Sequence, residues 1–192
     1  MKESDYQNQE KTKTHKVTIY PVPFTLEEIK ENFPISTNTP SWSSQEQIVN
    51  RAIQFHSQGN ILEATKYYRQ LINQKCNDHR IFSNYGVILT NKGNLKEAEL
   101  STRKAIKLNP NHADAHSNLG GILRDLGKLQ EAELSTRKAI EINPDLEDAH
   151  LNLGSILRDL GKLQEAELST RKAIKLNADY ADAHSNLGSI LS

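Results

Sequence analysis

The chain is short of almost everything that would tie it to one reacting centre or to a charged surface. It has a single cysteine, Cys76, so no intramolecular disulfide can form. It carries no excess charge, because 24 Lys and Arg balance 24 Asp and Glu. A neutral chain exerts no bulk pull on nucleic acid or anionic lipid, and binding to either would need a local patch. No stretch reaches the roughly 18 apolar residues of a membrane span. The opening MKESDYQNQEKTKTHK lacks the apolar region of a secretory signal. The expectation is a soluble, cytoplasmic protein with neither nucleic acid nor membrane as a partner. No serine lies in a glycine-rich nucleophile turn and no loop has the form that cradles phosphate. No catalytic residue, cofactor or metal ligand is therefore assigned, and the chain is not expected to be an enzyme.

What the chain does have is repetition. The stretch HSNLGGILRDLGKLQEAELSTRKAI, starting at His116, returns 34 residues later as HLNLGSILRDLGKLQEAELSTRKAI, starting at His150. Laid out at that period, the chain divides into units 45–78, 79–112, 113–146 and 147–180, with a half-unit 181–192 and an extension 1–44 in front. The third and fourth units agree at 27 of 34 positions. A period of this length marks a helical solenoid. Copied surfaces also say something about function. A reacting centre needs differentiated neighbours, whereas an extended binding surface can be assembled from copies.

Each unit reads as two helices. In the third, Leu119, Ile122, Leu123 and Leu126 fall on one helical face. Gly127 then suits the left-handed position that ends a helix. A second stripe runs through Leu129, Ala132, Thr136, Ala139 and Ile140. Pro144 disfavours helix at Asn143, and Asp145 and Asp148 suit the start of the next helix, where free N–H groups favour carboxylates. Neither helix can bury its stripe alone, so the pair forms an antiparallel hairpin and stacked hairpins share a core. Small residues at Gly120, Ala132 and Ala139 allow close crossings. Glu99–Arg103, Glu133–Arg137 and Glu167–Arg171 recur as i, i+4 pairs on the outer face, worth a few tenths of a kcal/mol each.

These residues resemble the tetratricopeptide repeat, or TPR, family. Leu119-Gly120 and Leu153-Gly154 stand at positions 7 and 8 of the unit, with Tyr85-Gly86 one unit earlier. Ala98, Ala132 and Ala166 occupy position 20, Ala105, Ala139 and Ala173 position 27, and Pro110 and Pro144 position 32. There are departures: position 4 is Phe82, then His116, His150 and His184, position 11 is Leu, and position 24 is Thr102, Thr136 and Thr170. The first unit is degenerate, with Arg51-Ala52 for Leu-Gly and Cys76 for Pro, which suits a cap. The resemblance, which is to bacterial TPR proteins, implies an all-α, right-handed α-solenoid of antiparallel helix hairpins. It further implies a non-enzymatic scaffold that binds an extended peptide or a partner helix in its concave groove.

Asn84, Asn118, Asn152 and Asn186 all hold position 6, which faces the groove in such arrays. This ladder resembles that of the protein O-GlcNAc transferases, whose asparagines hold peptide backbone. An amide offers donor and acceptor together and so can pair with any peptide group. Ser117, Arg124, Asp125, Arg158 and Asp159 extend the expected groove. Lysines that would form the carboxylate clamp for chaperone C-termini are absent, position 5 being Ser83, Ser117, Leu151 and Ser185. The histidines at position 4 are a repeat apart, and helices ~8–10 Å apart cannot share one metal that needs ~2.0–2.1 Å to each nitrogen.

In the extension, KVTIYPVPF is expected to be extended because Pro21 and Pro23 interrupt it. Thr25 with Glu28 offers a capping box to a short helix, LEEIKENF, and PISTNTPS reads as a linker. Ser44 with Gln47 repeats the box at the first unit. Two other readings arise. The chain is either a free adaptor or the substrate-targeting arm of a larger glycosyltransferase, sulfotransferase or methyltransferase. The half-unit at the C-terminus also leaves an apolar side that a second copy could cover, making a homo-oligomer.

Overall fold

The structure is a computed structural model in which residues 44–192 are described. The expectations for the extended stretch, the short helix and the linker before Ser44 lie outside the described residues. Nine helices follow one another among the described residues: α1 Ser44–Ser57, α2 Ile61–Asn73, α3 His79–Asn91, α4 Leu95–Leu108, α5 Ala113–Asp125, α6 Leu129–Ile142, α7 Glu147–Asp159, α8 Leu163–Leu176 and α9 Ala181–Leu191. The fold is an all-α solenoid of paired helices, as the repeat implies.

The hairpin turn is built the same way each time. Gly59, Gly93, Gly127 and Gly161 all sit at φ 75°, a region that only glycine enters without strain. At the third turn Gly127 N donates to Arg124 O at 2.9 Å and Lys128 N to Leu123 O at 2.8 Å. These two bonds satisfy carbonyls at the end of α5 and form the paired closure of a Schellman motif. The link between units is different. Asn143 Oδ1 accepts from Asp145 N at 3.2 Å, as Asn109 Oδ1 does from Asn111 N at 3.1 Å. The asparagine before the proline thus folds its own loop. Asp148 lies in the first turn of α7, but that helix starts without a side-chain cap at Leu146.

Close crossings occur where the small residues stand. Ala98, Ala132 and Ala166 are fully buried, as are Thr102, Thr136 and Thr170. The threonines occupy the space in front of Gly86, Gly120 and Gly154. Thr136 Oγ1 donates to Ala132 O at 2.9 Å, so a polar side chain sits in the core without an unmet donor. The position-4 histidines are braces: Nε2 of His116 and of His150 donates to the carbonyl of Pro110 and of Pro144, each at 2.9 Å. Each ring thereby pins the loop six residues before it, and each histidine carbonyl accepts in turn from Ser135 or Ser169 at 3.0 Å.

The outer ion pairs reach further than helix spacing suggested. Arg103 joins Glu99 at 3.0 Å within α4 and also Glu131 of α6 at 2.8 Å. Lys128 reaches back to Glu99 at 2.9 Å. The same set recurs one repeat on as Arg137, Glu133, Glu165 and Lys162. The lysine beside Glu99, and the arginine next to it, hold that carboxyl below the usual range against the upward push of its burial.

One junction pairs two histidines. His79 Nδ1 lies 3.1 Å from His112 Nδ1, across the second unit. Burial lowers the His112 pKa, the facing His79 and nearby His116 lower it further, and Asp114 opposes them. A histidine depressed in the folded state binds protons more readily when unfolded. Its contribution is fully present above the unfolded value of about 6.5 and shrinks as pH falls below it. The melting midpoint should therefore fall on going from about pH 7.5 to about pH 5.5. The slope should be shallower in His112→Asn, with the remainder due to His56, whose pKa burial also lowers. Equal slopes in the two proteins would remove His112 from this role.

Candidate functional site

The first helix of each hairpin, α1, α3, α5, α7 and α9, packs along the first helix of the next. The second helices, α2, α4, α6 and α8, make no such backbone approach to one another among the described residues. A stack that is tight on one side and splayed on the other curves, so the first helices line the inner face. The asparagines stand on these helices at one register.

They are not four copies of one environment. Asn84 is half-buried on α3 near the hydroxyl of Tyr68, whose pKa burial pushes up to about 12. Asn118 is half-buried on α5 and makes no hydrogen bond among the described residues. Asn152 is half-buried on α7 and donates to Ser117 Oγ at 3.0 Å. Asn186 is buried, donates to Thr170 Oγ1 at 3.1 Å and accepts from Arg158 Nη1 at 2.8 Å. Both ends of that amide are used inside the stack, where it links Arg158 of α7 to Thr170 of α8. Ser117 is 2% exposed and lies beneath Asn152, in the contact between neighbouring first helices.

The charged residues form one chain of contacts. Arg124 Nη2 meets Asp125 at 3.2 Å and Arg124 Nε meets Asp159 of the next unit at 3.5 Å. Arg158 meets Asp159 at 3.1 Å and then Asn186. Exposed pairs of this kind are worth ~0–1 kcal/mol, so a ligand can exchange them. The structure therefore brings together Asn118, Arg124, Asp125, Asn152, Arg158 and Asp159 along α5 and α7, with Asn84 one unit before on α3.

A fifth asparagine completes the row. Asn50 of α1 holds the same register; its Oδ1 is 3.4 Å from Arg80 Nη1, and its Nδ2 is buried without a partner. The degenerate first unit hid it, although the 34-residue offset from Asn84 would have found it. Arg80 is gripped by Asp78 and Glu46, with the Glu46 contact at 2.9 Å. Burial works to raise the Asp78 carboxyl, and Arg80 outweighs it and holds it low. That corner is a built ion cluster at the first junction. Among the described residues no group of three His, Cys, Asp or Glu could hold a metal ion, and no helix is long and apolar enough to cross a membrane.

Comparison with known proteins agrees with this geometry. Models described as tetratricopeptide repeat match residues 79–112, 113–146 and 136–167, and a model described as TPR repeat matches residues 154–192. No curated protein matches the chain. Among solved structures, MamA (41-end) of Desulfovibrio magneticus RS-1 is similar at 23% identity and a TM-score of 0.64, over 76% of this chain and 82% of that one. The Arabidopsis OM64 TPR domain is similar at 23% identity and a TM-score of 0.57, over 59% of this chain and 93% of that one. The first TPR of Spaghetti (RPAP3), bound to HSP90 peptide SRMEEVD, is similar at 21% identity and a TM-score of 0.57, over 59% and 90%. At these identities the likeness is one of fold. The repeat models together span residues 79–192, and the chain belongs to the tetratricopeptide repeat proteins.

Proposed function

We propose that the inner face is a peptide-binding groove, and that the chain works as a non-enzymatic scaffold holding an extended segment or a helix of a partner protein. The observation that carries this reading is Asn118. Its amide is half-buried at the centre of the inner face, with donor and acceptor both unspent among the described residues. The amide reaches solvent, so a backbone peptide group can replace water at its donor and its acceptor together. Asn152 and Asn84 flank it and can exchange their internal bonds for a ligand. Arg124, Asp125, Arg158 and Asp159 would adjust selectivity by exchanging surface pairs with charged ligand side chains. The similar domain of Spaghetti supports a peptide as the ligand class, since that protein is described as bound to one.

The test is an array of immobilised 12-residue peptides of mixed sequence, probed with the full chain and with Asn118→Ala/Asn152→Ala. Each lost hydrogen bond is worth ~0.5–1.5 kcal/mol, so the double variant should weaken captured peptides about tenfold. Its helical melt should fall by only a few degrees, from the loss of the Asn152–Ser117 bond. Unaltered affinity in a variant that folds normally would dispose of the groove reading.

A further inference from the structure

The amides of the inner face stand in stripes that begin with a carboxylate. Four residues before Asn118, Asn152 and Asn186, at the starts of α5, α7 and α9, come Asp114, Asp148 and Asp182. A step of four puts acid and amide on one side of a helix. All three acids are exposed, and among the described residues neither lysine nor arginine pairs with them. Asp114 has His112 at 3.7 Å, a ring whose pKa burial and the facing His79 lower, so it brings little positive charge near neutral pH. Asp148 accepts from the hydroxyl of Tyr180. Burial raises the pKa of that hydroxyl, its bond to Asp148 raises it further, and Asp182 and Glu147 add to both. The carboxylates of neighbouring units thus gather on one rim. The row starts at α5, because its counterpart on α3 is Arg80, already held by Asp78 and Glu46.

Charge on the far rim is cancelled, since Asp125 and Asp159 have Arg124 and Arg158 beside them. The inner face is amide in the middle, neutral along one edge and acidic along the other. Its period is that of directly packed first helices, which lie ~8–10 Å apart. A polyproline II chain has three residues per turn and rises ~3.1 Å for each, so every third side chain returns to one side after about 9.3 Å. A strand covers a similar distance in three residues, but residues three apart point to opposite faces. An α-helix covers about 10.5 Å in seven residues and spends its backbone groups on itself, leaving none for an amide to hold. Polyproline II makes no internal hydrogen bonds and keeps those groups free.

We propose that the inner face takes a basic polyproline II segment of a partner protein, with a lysine or arginine at every third residue facing Asp114, Asp148 and Asp182 in turn. This rests on the reading of the inner face as a peptide groove, and names the conformation and charge of the ligand. Asn118 and Asn152 hold peptide groups between the basic residues. The acidic rim sets the register, because slipping the segment by one residue turns every basic side chain about a third of a turn away from its acid.

The test is fluorescence anisotropy of a labelled peptide of about 12 residues, Lys-Pro-Ala repeated, titrated with the full chain at physiological salt. The dissociation constant should be on the order of 100 μM. A peptide of the same composition with its lysines side by side should bind about tenfold more weakly, because clustered charge cannot meet spaced acids. Glu-Pro-Ala repeated should not bind. Asp114→Asn/Asp182→Asn, at two exposed sites and with Asp148 left to Tyr180, should weaken binding about fivefold while circular dichroism shows the helices intact. Asn118→Ala/Asn152→Ala should weaken it about tenfold. The proposal is overturned by equal binding of the two lysine peptides, by full binding in the aspartate variant, or by no anisotropy change up to about 1 mM chain. Should one of these occur while capture of the immobilised peptides still depends on Asn118 and Asn152, the groove stands and this ligand class falls. Should that capture also be insensitive to the asparagines, both readings fall.

Discussion

Replacing Tyr68 by alanine should cost about 3–5 kcal/mol, the range for removing a buried aromatic, and should melt the first hairpin while the later ones stand. Tyr68 has no exposed surface and lies in the core cluster that includes Val49, Ala52, Leu71, Ile81 and Ile88. Its ring is tilted against Tyr85 at 6.5 Å and meets His56 edge-on at 6.0 Å. Its hydroxyl lies 3.4 Å from His56 Nδ1, so truncation also removes that ring's partner. Damage stays local in a solenoid because each unit is held by its neighbours alone. Hydrogen exchange should show α1, α2 and the start of α3 losing protection, with α5 to α8 nearly unchanged. Urea unfolding followed by circular dichroism should split into two steps. A single transition displaced by less than about 1 kcal/mol would show that Tyr68 is not the keystone of this junction.

Gly120→Ala and Gly188→Ala should act in opposite directions, although both glycines hold position 8 of their units. Alanine is favoured over glycine inside a helix by about 1 kcal/mol. At Gly120 a Cβ would collide with Thr136 Oγ1 and come within 3.2 Å of Thr136 Cβ and 3.3 Å of the Ala132 carbonyl. Overpacking against a buried side chain and backbone costs about 1–3 kcal/mol or somewhat more, so the collision wins. At Gly188 nothing lies within 4 Å, and the propensity gain is unopposed. Thermal denaturation should show the midpoint falling by several degrees in the first variant and rising slightly in the second. Gly120→Ala/Thr136→Ser, which removes the methyl and frees the hydroxyl to turn, should recover part of the loss. Stabilisation by Gly120→Ala alone would mean that the α5–α6 crossing relaxes more easily than its contacts suggest.

The two glycines also mark how far the sequence could be read. Within a unit, leucines and alanines at steps of three and four specify which side of each helix is buried. Gly127 ends α5 because its φ is open to no other residue without strain. These are properties of one helix and one turn, and the spacing of residues along the chain states them fully. Nothing in the spacing of the histidines at position 4 announced the bonds of His116 and His150 to Pro110 and Pro144.

Relations across the 34-residue period were of another kind. Four asparagines at one register read alike in sequence, yet Asn118 is unpaired, Asn152 leans on Ser117 and Asn186 is buried between Thr170 and Arg158. Glu99 was legible as the partner of Arg103, four residues on, and not as that of Lys128, twenty-nine residues on. The reason is geometric. Helical periodicity reports the face a residue takes on its own helix, whereas the approach between units depends on the rotation and splay of whole hairpins. That rotation depends on how side chains such as Phe82 and Tyr85 fill the space between neighbours, and it becomes visible when the hairpins are stacked.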